Sequence, residues 1–133
     1  MASPRLFSLY DEPFWASVAA RNLALQRCTQ CGTMRYPPGP ACPECLSPDA
    51  TWDAVSGRGE VLSWTVFHRQ YLPGFPAPHT VVTVQLAEGP LLVGTITPDV
   101  PDGLRVGVAV SLHYHEQLDG TVLPTFRLLK EKY

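Results

Sequence analysis

The 133-residue sequence contains no long apolar run and almost no lysine. Its first residues, Met1 to Leu6, contain no apolar stretch that would serve as a signal peptide. No segment approaches the length that a membrane-spanning helix needs. We therefore expect a cytoplasmic protein with no membrane partner, in which cysteines stay reduced rather than forming disulfides.

A surplus of positive charge is also missing. The chain has ten Lys and Arg residues and twelve Asp and Glu residues, which gives a formal net charge of −2. The only lysines are Lys130 and Lys132, so arginine supplies the remaining basic residues, and these are scattered along the chain. A groove that tracks a nucleic-acid backbone needs clustered positive charge. The composition therefore disfavours nucleic acid as a partner.

Motifs for covalent or phosphate chemistry are lacking as well. The chain has no Gly-x-Ser-x-Gly elbow, and it has no cysteine beyond the four that form one motif. The glycine-containing segment Ser56-Gly57-Arg58-Gly59 has neither the lysine nor the following helix of a phosphate-binding loop. We therefore expect no independent enzymatic activity.

The four cysteines form two Cys-x-x-Cys motifs ten residues apart: Cys28, Cys31, Cys42 and Cys45. A two-residue gap lets both sulfurs of a motif face one point, and two such motifs make a tetrahedral thiolate site. All four ligands are then protein sulfur, so the site is closed to water and is structural. Zinc is the expected metal. Iron held as in rubredoxin is the alternative, because this spacing does not separate the two metals.

The order of elements predicts a mainly β protein. An N-terminal helix is expected from Asp11, a candidate cap, to about Arg21, with its large aromatics Phe14 and Trp15 covering either the chain's own core or a partner. Short strands at 23–27, 34–36 and 51–55 surround the cysteines as in a zinc ribbon. The expected divisions are a helical segment at 1–22, the ribbon at 23–56 and a second module at 57–133.

The second module shows hydrophobic residues at every second position, which is typical of half-buried strands. Val82, Val84 and Leu86 form one such face, and Leu62, Trp64 and Val66 are expected to form another. Five such strands in so short a segment predict a small closed barrel of the oligonucleotide/oligosaccharide-binding (OB) type. Long loops at 71–78 and 99–107 join its strands.

Taken together, these segments resemble a recognised family, the OB-fold proteins with a rubredoxin-like zinc ribbon that accompany acyl-CoA enzymes, long catalogued as a domain of unknown function. The resemblance implies a small accessory subunit beside a thiolase-like enzyme, an aldolase or a hydratase, which binds the CoA ester or completes the partner's site. The family usually has an aromatic residue where this chain has His79. The matching segments are Phe14-Trp15, Leu25-Gln26-Arg27-Cys28, Cys31-Gly32, Arg35-Tyr36-Pro37-Pro38, Cys42-Pro43-x-Cys45, Ser56-Gly57-Arg58-Gly59, Gly74-Phe75-Pro76-Ala77-Pro78 and Leu123-Pro124-x-Phe126.

Coenzyme A needs arginine or backbone amides for its phosphates, an aromatic or arginine plane for adenine, and a narrow apolar groove for pantetheine. Candidate groups along the junction of ribbon and barrel are Arg35, Tyr36, His68, Arg69, Tyr71 and Phe75. His113 and His115 are expected to face solvent. Two alternatives stay open: a binding module for single-stranded nucleic acid, because OB barrels and ribbons both serve that purpose, and an iron electron carrier.

Overall fold

The computed structural model describes residues 10–71, 74–97 and 102–129. In these ranges the chain folds into one short helix, a three-stranded ribbon and a closed five-stranded barrel. No helix in them has the length and apolar character to cross a membrane. The elements are α1 (Asp11–Ala19), β1 (Ala24–Cys28), β2 (Met34–Arg35), β3 (Ala50–Ala54), β4 (Arg58–Phe67), β5 (His79–Leu86), β6 (Leu91–Ile96), β7 (Ala109–Glu116) and β8 (Val122–Leu128).

Helix α1 packs one side of its surface into the core. Phe14 and Val18, four residues apart on one face, are buried there. The prediction that Asp11 caps the helix is wrong: the N-cap is Tyr10, which makes no side-chain capping bond, and Asp11 is the first helical residue. A carboxylate in the first turn still favours the helix, because it lies near the positive end of the helix dipole.

The ribbon is a small antiparallel sheet with strand order β2-β1-β3. β2 returns antiparallel to β1, as predicted, with Gln26 opposite Arg35. β3 pairs along the other edge of β1, and Gln26 also lies opposite Trp52. The central strand β1 therefore holds both neighbours in register and ends at Cys28, the first cysteine.

The barrel closes in the order β4-β5-β6-β8-β7, which confirms the predicted five-stranded barrel. A short parallel pairing between β6 and β8 and an antiparallel pairing between β4 and β7 complete the circle. On β5 the predicted alternation is confirmed, since Val82, Val84 and Leu86 are buried. Phe126 of β8 is fully buried among them and is the largest side chain of the barrel core.

Strand β4 departs from the predicted alternation at one residue. The pairing with β5 shifts between Val61 and Ser63 and skips Leu62, so that Val61 is buried and Leu62 is 38% exposed. Such a bulge turns the following side chains to the other face of the sheet. Trp64 then lies opposite the buried Val82, and Val66 lies opposite the buried Thr80, so these two residues share one face, as predicted. The predicted face is wrong at Leu62 alone.

Ribbon and barrel share one core. The buried cluster runs from Phe14 and Leu25 to the barrel residues. At the junction the Leu23 amide donates to Tyr114 Oη at 2.8 Å, and the Leu112 amide donates to the Gly57 carbonyl at 2.7 Å. Gly57 has a φ of +82°, and a Cβ there would lie 3.1 Å from Leu112 Cβ. Glycine is needed here, since no other residue tolerates both this φ and this contact.

Candidate functional site

The four cysteines meet at one point beyond the end of β1. Their sulfur atoms all lie within 4.8 Å of one another. Cys28 Sγ lies 3.5 Å from Cys45 Sγ, and Cys31 Sγ lies 3.5 Å from Cys42 Sγ. None of the four is in a disulfide. Four converging thiols outside any disulfide fit a tetrahedral metal ion, so the predicted ligand set fits a metal site.

The two Cys-x-x-Cys turns have the same backbone design. In the first, the Gly32 amide donates to the Cys28 carbonyl, and in the second the Leu46 amide donates to the Cys42 carbonyl. Gly32 and Leu46 both have a positive φ, of 77° and 66°. The Glu44 amide also points at Cys42 Sγ at 3.4 Å, as expected for a thiolate ligand. These turns aim both sulfurs of each motif at the same point.

The thiols have unequal affinities for protons. The side chain and backbone amide of Thr33 lower the pKa of Cys31 to about 6. At Cys45 the Ser47 amide favours the thiolate, but the surrounding thiols of Cys28, Cys31 and Cys42 and burial raise its pKa to about 12. Four thiolates so close together repel one another, and a bound cation removes that repulsion.

A second feature lies on the barrel, where β4 ends and β5 begins. Here the structure contains an apolar cavity of about 410 Å³. Its wall combines outward residues of β4, β5 and β6 with residues of the loop that joins β4 to β5. Leu72 and Pro73 of that loop lie outside the described residues. The lining residues are Phe67, Arg69, Tyr71, Phe75, His79, Val81 and Thr95.

Four rings pack against one another in this cavity, which we call the aromatic cavity. Phe67 and His79 face each other across the β4–β5 pair and stack at 6.3 Å between ring centroids. Tyr71 packs edge-on against Phe67 at 6.0 Å, and Phe75 lies 5.1 Å from His79. The Arg69 guanidinium sits 5.8 Å from the Tyr71 ring centroid. The site therefore presents aromatic planes beside one cation.

A second cavity, of about 310 Å³, adjoins the aromatic cavity and shares Phe75, His79 and Thr95 as walls. Its floor carries hydroxyl groups: Thr95 Oγ1 donates to Thr125 Oγ1 at 3.1 Å, and Thr97 Oγ1 lies 2.9 Å from Thr125 Oγ1. The exposed His115 lines it as well. The two cavities thus place an apolar aromatic region next to a more polar one.

The other histidine of this strand is His113. It lies on the same outward face of β7 as His115, as expected, but it is half-buried and its ring lies 3.0 Å from Ser111 Oγ. Burial and the charge of Arg127 lower its pKa below the usual value. His113 is therefore held in its neutral form more strongly than an exposed histidine would be.

The candidate CoA residues fall into two groups. Arg69, Tyr71 and Phe75 line the aromatic cavity together. Arg35 and Tyr36 line neither cavity, and the exposed His68 follows β4 without lining either of them. The structure therefore does not bring all six to one place.

Arg35 is buried within the ribbon, at 6% exposure. Its Nε donates to Gln26 Oε1 at 3.1 Å and its Nη2 donates to the Gly39 carbonyl, while Nη1 is buried without a hydrogen bond. The Gly39 amide donates to the same Gln26 oxygen. The guanidinium thus ties the proline-rich arm between the cysteine motifs to β1.

The aromatic residues of the helix region are mostly internal. Phe14 is 3% exposed and contacts Trp15 edge-on at 5.0 Å and Tyr36 at 5.4 Å. Burial and, less strongly, the Asp11 carboxylate raise the pKa of Tyr36. Of the two candidate partner-binding residues, only the half-buried Trp15 keeps ring surface for contact with another molecule.

Sequence reasoning missed Phe67, Val81 and Thr95 as cavity residues. Phe67 lies two positions before Arg69, and His79 is its direct partner on β5. The sequence did contain a signal for these residues. Where a loop joins two antiparallel strands, the outward residues at the end of the first strand and the start of the second lie side by side, next to that loop. His79 stands where the family usually has an aromatic residue. Its imidazole is also a flat ring, and it stacks on Phe67.

Two family models match this chain in sequence. The rubredoxin-like zinc ribbon domain of ChsH2 matches residues 15–50, and the C-terminal OB-fold domain of ChsH2 matches residues 52–115. A solved chain in the structure titled "Ltp2-ChsH2(DUF35) aldolase" superposes with a TM-score of 0.85 at 35% identity, over 95% of this chain and 98% of that one. The chain belongs to the ChsH2-type DUF35 family. A DUF35 protein from Sulfolobus solfataricus, with a TM-score of 0.63 at 14% identity, shares the fold.

Curated relatives of this DUF35 chain carry functional names. A "probable enoyl-CoA hydratase alpha subunit" of Thermomonospora curvata is 42% identical over 88% of this chain, and the match spans 37% of that protein. A 3-oxo-4,17-pregnadiene-20-carboxyl-CoA hydratase alpha subunit of Mycobacterium tuberculosis is 34% identical over 76% of this chain and 32% of its own length. A DUF35 domain-containing scaffold protein of Pyrococcus furiosus is 32% identical over 61% of this chain and 60% of its own length. The chain thus spans about a third of the hydratase subunits that it matches.

Proposed function

We propose that this protein is a non-catalytic accessory subunit of a thiolase-like enzyme, an aldolase or a hydratase that acts on an acyl-CoA, and that it contacts the CoA ester through the aromatic cavity. The relatives named above support the subunit role, since they are called hydratase alpha subunits and scaffold proteins. The name of the solved structure likewise describes the DUF35 chain together with Ltp2 as an aldolase. The assembly would work in the cytoplasm, where the cysteines stay reduced.

The observation that carries the ligand proposal is the grouping of Arg69 with the rings of Phe67, Tyr71 and Phe75 around one apolar cavity. A planar adenine stacks on aromatic and guanidinium planes, and a guanidinium pairs with phosphate through two parallel hydrogen bonds. The neighbouring polar cavity, with its threonine hydroxyls and His115, suits the amide groups of pantetheine. One continuous surface thus offers a partner for each chemical part of the ligand.

Arg35 has a structural role in this proposal, because it is buried and its Nε and Nη2 donate to Gln26 and to the Gly39 carbonyl. Of the two candidate arginines, the exposed Arg69 is the one that we assign to phosphate binding. The half-buried Trp15 is the residue of α1 that we assign to the partner surface. The partner enzyme would then supply the reacting groups, and this subunit would hold the CoA end of the substrate.

For the metal site we propose zinc. A closed site of four thiolates leaves no ligand position for substrate, which suits a structural ion. The ion would fix the two cysteine turns at the end of β1 and would neutralise the repulsion between their thiolates. Absorption spectra separate the metals: a colourless protein with one zinc per chain supports zinc, and a red protein with thiolate-to-iron bands supports an electron carrier.

The experiment for the ligand proposal is a titration of the protein with acetyl-CoA, followed by isothermal calorimetry, for the wild type and Arg69→Ala. We expect Arg69→Ala to weaken binding by roughly 10-fold, because a charge-assisted hydrogen bond is lost at an exposed site. Arg58→Ala is the matched control, since Arg58 is an exposed arginine at the opposite end of β4. That variant should bind like the wild type.

Equal affinity of the Arg69→Ala and wild-type proteins would remove Arg69 from the site. A parallel titration with a thymidine oligonucleotide covers the alternative OB function. Aromatic rings beside an arginine on an OB barrel also stack nucleic-acid bases. Tight, salt-sensitive oligonucleotide binding without acetyl-CoA binding would replace the proposed function with that alternative.

A further inference from the structure

Within residues 10–71, 74–97 and 102–129, the second half of β4 pairs with a strand on one edge only. Residues 58–60 pair with β7, and Val61 extends this contact through hydrogen bonds with Gly107 and Val108. From Ser63 to Phe67 the described structure pairs β4 with β5 alone. The other edge of these five residues faces no described strand, so its backbone donors and acceptors are open to a further strand.

The sequence of this edge lacks the usual protection against pairing. The segment Ser63-Trp64-Thr65-Val66-Phe67 contains no charge and no proline, and all of its residues except Ser63 favour strands. Trp64 and Phe67 are each 38% exposed although they are large and apolar. The bulge at Val61 to Ser63 lies before the segment and leaves these five residues in regular register with β5. An exposed, uncharged edge of this kind is a template for another strand.

We propose that this edge pairs with the same edge of a second copy of the chain, so that two barrels share one continuous antiparallel sheet. The segment is complementary to itself. With Thr65 opposite Thr65 of the second copy at the two-fold axis, Trp64 faces Val66 and Ser63 faces Phe67. An aromatic residue opposite a β-branched one is a favourable cross-strand pair. No like charges meet, and the pairing is the same seen from either copy, as a two-fold interface requires.

This arrangement has a consequence for the aromatic cavities. A two-fold axis perpendicular to the sheet keeps each face of one copy on the same face in the other. Phe67 belongs both to this edge and to the aromatic cavity wall. The dimer therefore displays two aromatic cavities on one side of the shared sheet. The pairing itself does not rest on the proposed CoA function, and either can hold without the other.

The test is the mass of the full-length protein in solution, measured by light scattering after size-exclusion chromatography over a wide concentration range. We expect a dimer that dissociates on dilution. Thr65→Lys places two like charges directly opposite each other at the axis and should weaken the dimer at least roughly 10-fold. Gln85→Lys is the matched control, because Gln85 is exposed on β5, which is paired along both edges there. It should dimerise like the wild type.

A second variant keeps the test sharp if Thr65→Lys disturbs folding. Thr65→Cys should form a disulfide between two copies under mild oxidation, because residues opposite each other in antiparallel strands have Cα atoms about 4.5–5.5 Å apart. Gln85→Cys should give no such bond. A wild-type protein that stays monomeric at every concentration overturns the proposal. So does a dimer that Thr65→Lys leaves intact and Thr65→Cys does not cross-link.

Discussion

Cys42→Ser is expected to abolish the metal site and to unfold the ribbon. Cys42 is fully buried, and its Sγ lies 3.5 Å from Cys31 Sγ. The substitution therefore removes one of the four thiolate ligands from the centre of the site. Metal binding in small thiolate sites contributes folding free energy on the order of 10 kcal/mol. The ribbon shares its core with the barrel through Leu25 and Met34, and we expect the loss to lower the stability of the whole chain. Metal content by mass spectrometry and thermal unfolding measure the two effects.

Thr29→Ala is the matched control for this substitution. Thr29 lies between the two cysteines of the first motif and is exposed. Its hydroxyl donates one weak hydrogen bond of 3.4 Å to the Asp49 carbonyl, and its backbone amide, which alanine keeps, donates to the same oxygen. The variant should keep one metal ion per chain and nearly the wild-type melting temperature. If Cys42→Ser also retained a full metal content and a native melting curve, the cysteines would not form the structural site described above.

Phe126→Ala is expected to destabilise the barrel by about 3–5 kcal/mol. The ring is fully buried between β6 and β7, opposite Ile96 and Leu112, and its truncation leaves a cavity. Close packing leaves little room to refill it: a Cβ on Gly94 would already lie 3.2 Å from Phe126 Cε2. The midpoint of urea unfolding, with the slope of the transition held in common, measures the change.

Phe126→Leu should lose much less stability, because leucine refills most of the volume with apolar atoms. The contrast between the two variants isolates the cavity from the loss of the aromatic ring. A Phe126→Ala protein as stable as the wild type would mean that β8 does not pack into the barrel as described.

The fold could be predicted because its strongest signals are local. Two Cys-x-x-Cys motifs specify their own geometry, and the alternation on β5 follows directly from the strand period. The predicted ribbon pairing of β1 with β2 and the closed barrel are confirmed. These features needed no knowledge of which residues meet across the molecule.

The misplaced residues depend on contacts that the sequence does not reveal. The bulge after Val61 removes Leu62 from the predicted face of β4, and no residue type at that point indicates a bulge. Arg35 was a candidate for phosphate, but it is buried on β2 and its Nε donates to Gln26, which lies opposite it on β1. Phe67 joins the aromatic cavity through its pairing with His79, which lies twelve positions further along the chain. Such outcomes follow from strand register, which depends on the whole barrel.

The central claim is that this chain works as a subunit beside an acyl-CoA enzyme. The most direct measurement is affinity purification of the tagged protein from its own host, with mass spectrometry of the chains and small molecules that elute with it. We predict a chain of a thiolase-like enzyme, an aldolase or a hydratase in near-equal amount, and its loss from the eluate when Trp15 is replaced by Ala. Elution of the chain alone, or with nucleic acid that high salt removes, would contradict the claim.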